Sequence, residues 1–193
     1  MGEPLELILA GRGGQGIMTA AEVLGWAVTL SGRAAACLME YGAEMRGGYI
    51  RAFMAVDDHE VTSQIVEHPH AILCMHEKEW EFFRETPRPG GCVVVNTSTI
   101  RNLETRPDIR VIEVPCHRLA MELGSERVVS MVALGAVIGA TDIVTLEQLG
   151  EGLKKILPER HHRLIPLNLE ALKTGMQVAK SALSVLGQEG GVH

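Results

Sequence analysis

The sequence has little of what marks a nucleic-acid binder, a membrane span or a metal scaffold. Its 18 lysines and arginines are outnumbered by 24 aspartates and glutamates, for a formal charge of −6. Without a basic surplus there is no phosphate-tracking face, and 3 Phe, 2 Trp and 2 Tyr are too few for a base-stacking platform. Nucleic acid is therefore not an expected partner. Cys37, Cys74, Cys92 and Cys116 form no C-x-x-C pair, which leaves a cysteine-ligated cluster or zinc knuckle without support and makes reduced, mostly buried thiols the expectation. The longest apolar run, "MVALGAVIGA", is about half the ~20 residues that a spanning helix needs. The opening "MGEPLELI" carries no basic n-region, so the reading is a soluble, cytoplasmic chain with no membrane contact. No repeat, low-complexity tract or Ser/Pro-rich linker divides it, and residues 1–193 read as a single domain.

What the sequence does have is an apolar content of 46%, which suits a buried parallel sheet or a subunit with a large interface. It also has glycine, concentrated near the start. In "LELILAGRGGQGI" the spacing of Gly11, Gly13 and Gly16 is G-x-G-x-x-G, the pattern by which a strand turns tightly into a helix beside a pyrophosphate. The context agrees: "LELILA" reads as a strand, and "IMTAAEVLGWAVTLSG" as a helix with Ile17, Ala20, Ala21, Leu24 and Val28 on one side.

Further along, "AAACLMEYG", "YIRAFMAV", "AILCMH", "CVVVNTS" and "RVIEVP" read as strands. "EKEWEFFRET" reads as a helix whose Glu77 and Glu79 complement the helix dipole in its first turn. The last third is helical: "CHRLAMELG" continuing into "VVSMVALGAVIGAT", then "TLEQLGEGLKKIL" with Thr145 as N-cap and Glu147 in its first turn, then "PLNLEALKTGMQVAKSALSVLG", ending in a frayed tail at Gly190 and Gly191. The expected fold is α/β: one Rossmann-like domain, its sheet mostly parallel and flanked by helices, with a helical C-terminal third.

The chemistry expected of the first loop is anion binding. Backbone N–H groups at the start of the Ile17 helix point outward, and the glycines let a phosphate or carboxylate approach. A helix terminus contributes only about 0.3–1 kcal/mol, so further cations are required. Arg12 lies within the loop, and Arg46 in "YGAEMRGG" offers a planar fork beside Gly47 and Gly48; a glycine turn between paired strands, with Glu44 on Arg46, is the simpler account of that segment. Glu40 stands where a dinucleotide fold wants its ribose-binding acid, which keeps open a stand-alone NAD-binding oxidoreductase, though one without a catalytic group. His68 and His70 flank a proline rather than a helical turn, and no metal site is expected from them.

"AGRGGQGI" followed by "EYGAEMRGG" resembles the gamma subunit, or gamma domain, of the 2-oxoacid:ferredoxin oxidoreductases. "SMVALGAVIG" and "NLEALKTG" extend the resemblance over most of the chain, with Ser130 where the family pattern has Asn. The resemblance implies enzymes that decarboxylate a 2-oxoacid on thiamine diphosphate and magnesium, pass electrons through iron–sulfur clusters to ferredoxin, and transfer the acyl group to coenzyme A. It implies that those cofactors reside in alpha, beta and ferredoxin-like delta partner subunits, that this chain alone binds none of them and is inactive, and that it completes the assembly near the thiamine diphosphate and coenzyme A site. It places Gly11, Arg12, Gly13, Gly14, Gln15, Gly16, Glu44, Arg46, Gly47 and Gly48 at that site, with no catalytic residue and no metal ligand. The short separate chain favours 2-oxoglutarate as the substrate, and a homodimer of the isolated chain is compatible with the reading. A purely structural assembly subunit, whose glycines serve packing alone, is the remaining alternative.

Overall fold

The computed structural model describes residues 3–42 and 47–189. Six strands form one sheet: β1 (Leu5–Arg12), β2 (Ala34–Tyr41), β3 (Tyr49–Asp57), β4 (Ala71–Cys74), β5 (Cys92–Asn96) and β6 (Arg110–Val114). Their order is β2-β3-β1-β4-β5-β6. β1, β4, β5 and β6 run parallel, whereas β3 is antiparallel to both β1 and β2. The sheet is thus mixed, with its parallel pairings in the majority, as expected.

Alternation along the strands makes two cores. Leu7 and Leu9 of β1, with Ala71 and Leu73 of β4 and Cys92 and Val94 of β5, face the first; Ile8, Ala10, Ile72, Cys74, Val93 and Val95 face the second. The first core is covered by α1 (Ile17–Leu30), α3 (Cys116–Glu122), α4 (Val129–Thr141), α5 (Leu146–Ile156) and α6 (Ile165–Glu189). α4 is apolar all round and buried from Val129 to Gly139, because α6 lies across its outer side. A β-carbon at Gly139 would stand 2.5 Å from the Met176 carbonyl oxygen, so the two backbones approach as closely as glycine permits.

The second face carries α2 (Glu77–Phe83) and the segment between β5 and β6, through Trp80, Phe83, Ile100 and Ile109, with Val66 from the segment between β3 and β4. Here Glu79 stands in the first turn of α2, as expected from the sequence, and also holds an ion pair with β3. Its carboxylate is 2% exposed and accepts from Arg51 Nε at 2.7 Å. The guanidinium lies 4.0 Å from the Phe82 ring centre and 4.3 Å from that of Tyr49, closing the rim of this core with a stacked ion pair.

The helix ends follow the expected chemistry at α5, where Thr145 and Gln148 form a reciprocal capping box. One boundary differs. The chain from Cys116 does not run continuously into α4: Gly124 takes φ 88° and Ser125 caps a fresh 3-10 turn at Glu126–Val128, which leads into α4. Residues Gly190 and Gly191 lie outside the described residues.

Candidate functional site

α1 leaves β1 on the first-core side and α2 leaves β4 on the other. The crossovers therefore change sides between two neighbouring parallel strands, and the C-terminal ends of those strands flank the crevice where open α/β sheets bind ligands. The glycine loop sits at this point. Gln15 holds it in place: its Oε1 accepts from the Arg12 N–H at 2.7 Å and its Nε2 donates to the Met75 carbonyl at 2.9 Å. The same carbonyl accepts from Thr99 Oγ1 at 2.8 Å, tying the ends of β1, β4 and β5 together.

Gly16 is the N-cap of α1. It has φ 76° and offers no side chain to the first turn, whereas α2 and α5 are capped by His76 and Thr145. The α1 terminus thus has no side-chain cap and can meet an external acceptor; α3 and α4 also lack a side-chain N-cap bond. A β-carbon at Gly16 would lie 2.6 Å from Ser130 Oγ and 2.8 Å from Ser130 Cβ. Ser130 is buried in the first turn of α4 against this glycine.

The structure brings together the described members of the two glycine segments. The Gly13 N–H donates to the Gly48 carbonyl at 2.9 Å and Arg12 donates from Nη1 to the Gly47 carbonyl at 3.0 Å. Glu44 and Arg46 lie outside the described residues. Against the loop opens a cleft of about 290 Å³ lined by Gly14, Gln15 and Gly16 and, from across the crevice, by His117, Glu126, Arg127 and Ser130. His117 and Arg127 were not singled out from the sequence. The available signal was position alone: His117 comes three residues after the end of β6, near the ligand-binding end of a parallel strand.

Such a cleft supplies an uncapped helix terminus, a guanidinium, an imidazole and a hydroxyl. Together they suit an anionic, phosphate-bearing ligand more than any of them would alone. A roomier cleft of about 630 Å³ involves Glu3, Glu6, His70 and Arg88, but it is at the N-terminal end of β1, opposite the switch-point crevice. Burial and Arg88 push the His70 pKa down, and burial pushes the Glu6 pKa up. The Glu6 N–H donates to His70 Nδ1 at 3.1 Å, an arrangement that ties the strand start to the 68–70 turn.

Three cysteines are buried, as expected, and Cys37 is exposed. Desolvation pushes the Cys92 thiol up to about 11 and the Cys116 thiol to about 12, so neither is a ready nucleophile. Strand order weakens the dinucleotide reading. Glu40 is in β2, which β3 separates from β1, placing it about 10 Å from the β1 axis at ~4.8 Å per strand. A ribose-binding acid belongs beside the glycine loop; Glu40 instead faces Arg51 at 3.9 Å.

The model of the family described as pyruvate ferredoxin/flavodoxin oxidoreductase matches residues 6–178. The chain is 34% identical over 160 residues to the 2-oxoglutarate synthase subunit KorC of Methanothermobacter thermautotrophicus, covering 79% of this chain and 85% of that one. It is 31% identical over 159 residues to the pyruvate/ketoisovalerate oxidoreductases common subunit gamma of Thermococcus litoralis, covering 78% and 85%. Among solved structures, the 2-oxoglutarate:ferredoxin oxidoreductase from Magnetococcus marinus, with 2-oxoglutarate, coenzyme A and succinyl-CoA bound, superposes with a TM-score of 0.84 at 22% identity. That match covers 94% of this chain and 32% of the Magnetococcus chain, so this chain spans about a third of it.

Proposed function

The chain belongs to the pyruvate ferredoxin/flavodoxin oxidoreductase family, as a gamma subunit of the 2-oxoacid:ferredoxin oxidoreductases, and from that premise we propose that it completes a multi-subunit enzyme converting 2-oxoglutarate to its acyl-CoA. Its own part is to hold the phosphate-bearing portion of coenzyme A. The observation that carries this is the cleft at the switch point, where the uncapped start of α1 faces Arg127 and His117. The KorC relative supports 2-oxoglutarate, while the Thermococcus relative is named as a common gamma subunit of pyruvate and ketoisovalerate oxidoreductases.

Thiamine diphosphate, magnesium and the iron–sulfur clusters belong, in this proposal, to alpha, beta and ferredoxin-like delta partners, with ferredoxin as the electron acceptor. Among the described residues no three His, Cys, Asp or Glu side chains stand close enough to hold a metal. The chain contributes binding and orientation while the cofactors in its partners supply the bond-making. On its own it turns over nothing. Membership of an assembly is supported by an apolar groove of about 400 Å³ between α1 and the edge strand β2, lined by Met18, Trp26, Met39 and Tyr41. Trp26 and Tyr41 remain 44% and 55% exposed beside it.

The test is coexpression of this chain with its genomic neighbours, purification through a tag on this chain alone, and coenzyme A-dependent reduction of a viologen dye with several 2-oxoacids. Copurification of thiamine- and cluster-bearing subunits with activity on 2-oxoglutarate is the expected result. Activity confined to another 2-oxoacid would overturn the substrate. A chain that purifies alone and binds NAD would overturn the whole reading.

A further inference from the structure

We infer that His117 is a ligand-binding hydrogen-bond donor in the cleft and that Asn96 is the positioning residue that sets its tautomer. The inference rests on the proposed binding of coenzyme A phosphate at this site. Asn96 ends β5 and is fully buried. Its Oδ1 accepts from two backbone N–H groups, those of Ser98 and Cys116, each at 3.2 Å. Backbone amides only donate, so these two bonds settle which end of the side-chain amide is oxygen.

Nδ2 is then the atom that faces His117 Nδ1, at 3.2 Å. An amide nitrogen also only donates, so Nδ1 must accept and the neutral ring carries its hydrogen on Nε2. The His117 N–H donates to Ser98 Oγ at 3.3 Å, which anchors the first turn of α3 beneath the ring. With Nδ1 committed to Asn96, Nε2–H is the polar group that the ring keeps for the cleft it lines. The charged side chains lining that cleft are Arg127 and Glu126. The imidazole thus adds a donor of fixed direction to a cleft that the Arg127 guanidinium also lines, which fits an anionic phosphate oxygen better than a cation or an apolar group.

Calorimetric titration of coenzyme A into the purified complex tests this. His117→Ala is expected to weaken binding about 10-fold, the usual loss for a hydrogen bond to a charged group. His117→Gln, which keeps an N–H near the Nε2 position, is expected to restore it to within about 3-fold. Asn96→Asp keeps both backbone bonds, but its carboxylate accepts a hydrogen from Nδ1, so the neutral ring loses the one on Nε2. Only a doubly protonated ring then donates to the ligand, and the weakening relative to the parent complex should grow as pH rises from about 6 to 9.

Comparison with the parent at each pH removes the titration of coenzyme A itself. Equal binding by parent and His117→Ala, or an Asn96→Asp ratio that is flat with pH, would overturn the inference while leaving the proposed site standing. A parent complex that turns over without measurable coenzyme A binding would overturn the site and the inference together.

Discussion

Gly13 and Gly14 of the first loop and the glycines of the α4–α6 crossing meet opposite surroundings. At Gly135, Gly139 and Gly175 an added β-carbon runs into the partner helix's backbone, at Leu172, Met176 and Val132 respectively. In the loop, a β-carbon at Gly13 would meet its nearest described neighbour, Gly47 Cα, at an ordinary 3.7 Å, and one at Gly14 would meet nothing described within 4 Å. The helical glycines are required by atoms of this chain. Gly13, whose φ is outside the left-handed region, is not required for packing by any described atom.

Adding a methyl group at four positions, in order of expected loss of stability, tests that contrast. Gly175→Ala should be the most damaging. Its β-carbon falls well inside the van der Waals contact distance of the Val132 carbonyl oxygen, with Ala136 N only 2.8 Å away, and neither backbone atom can rotate aside. A cost of about 3 kcal/mol or more, read from urea unfolding, is expected. A loss below about 1 kcal/mol would mean that α4 and α6 separate easily, and that close approach is not what holds the layer together.

Gly16→Ala comes next, at about 2 kcal/mol, because the substitution is strained at φ 76° and the new methyl also meets Ser130. Placing Ser130→Gly in the same chain should return the steric share and leave the strain, giving a coupling of about 1 kcal/mol in a double-mutant cycle. No coupling would mean that the loop moves away from α4. Gly152→Ala should cost about 1 kcal/mol. Its β-carbon would be 2.6 Å from the Val23 carbonyl oxygen of α1, but the better helix propensity of alanine offsets part of the clash. A gain in melting temperature would show that α5 shifts freely on α1.

How far these roles were legible in the sequence follows from how local their causes are. The buried face of α1, with Ile17, Ala20, Ala21, Leu24 and Val28, was readable from its period, and all five are buried. The Thr145 cap was readable from residue type and spacing. The pairing of the two glycine segments was carried by the family resemblance, and the described part of it is a direct contact, Gly13 on Gly48. Strand order was not readable. β3 enters between β1 and β2 through non-local pairing, and that insertion is what removes Glu40 from the loop. The burial of Glu79 was not readable because helical position says nothing of an arginine on β3, 28 residues away in sequence. Asn96 and His117 were missed for the same reason: 21 residues separate them, and neither has a local motif.

Gly13→Ala has the smallest expected effect on the fold and should separate the two roles of glycine most sharply. With 3.7 Å to the nearest described atom, the methyl group should change unfolding free energy by no more than about 0.5 kcal/mol, as substitutions clear of packing and strain usually do. The Gly13 N–H would still reach the Gly48 carbonyl, since alanine keeps the backbone donor. A ligand approaching that backbone would nevertheless meet a methyl group where it now meets a hydrogen, and the complex should lose coenzyme A affinity about 10-fold or more, as expected where close backbone approach matters. If the variant instead unfolds readily or fails to assemble, glycine is needed here for architecture, as it is at Gly175. If stability, assembly and affinity all stay at parent values, the ligand does not approach Gly13, and the binding surface is confined to the side of the cleft formed by Gly16, His117 and Arg127.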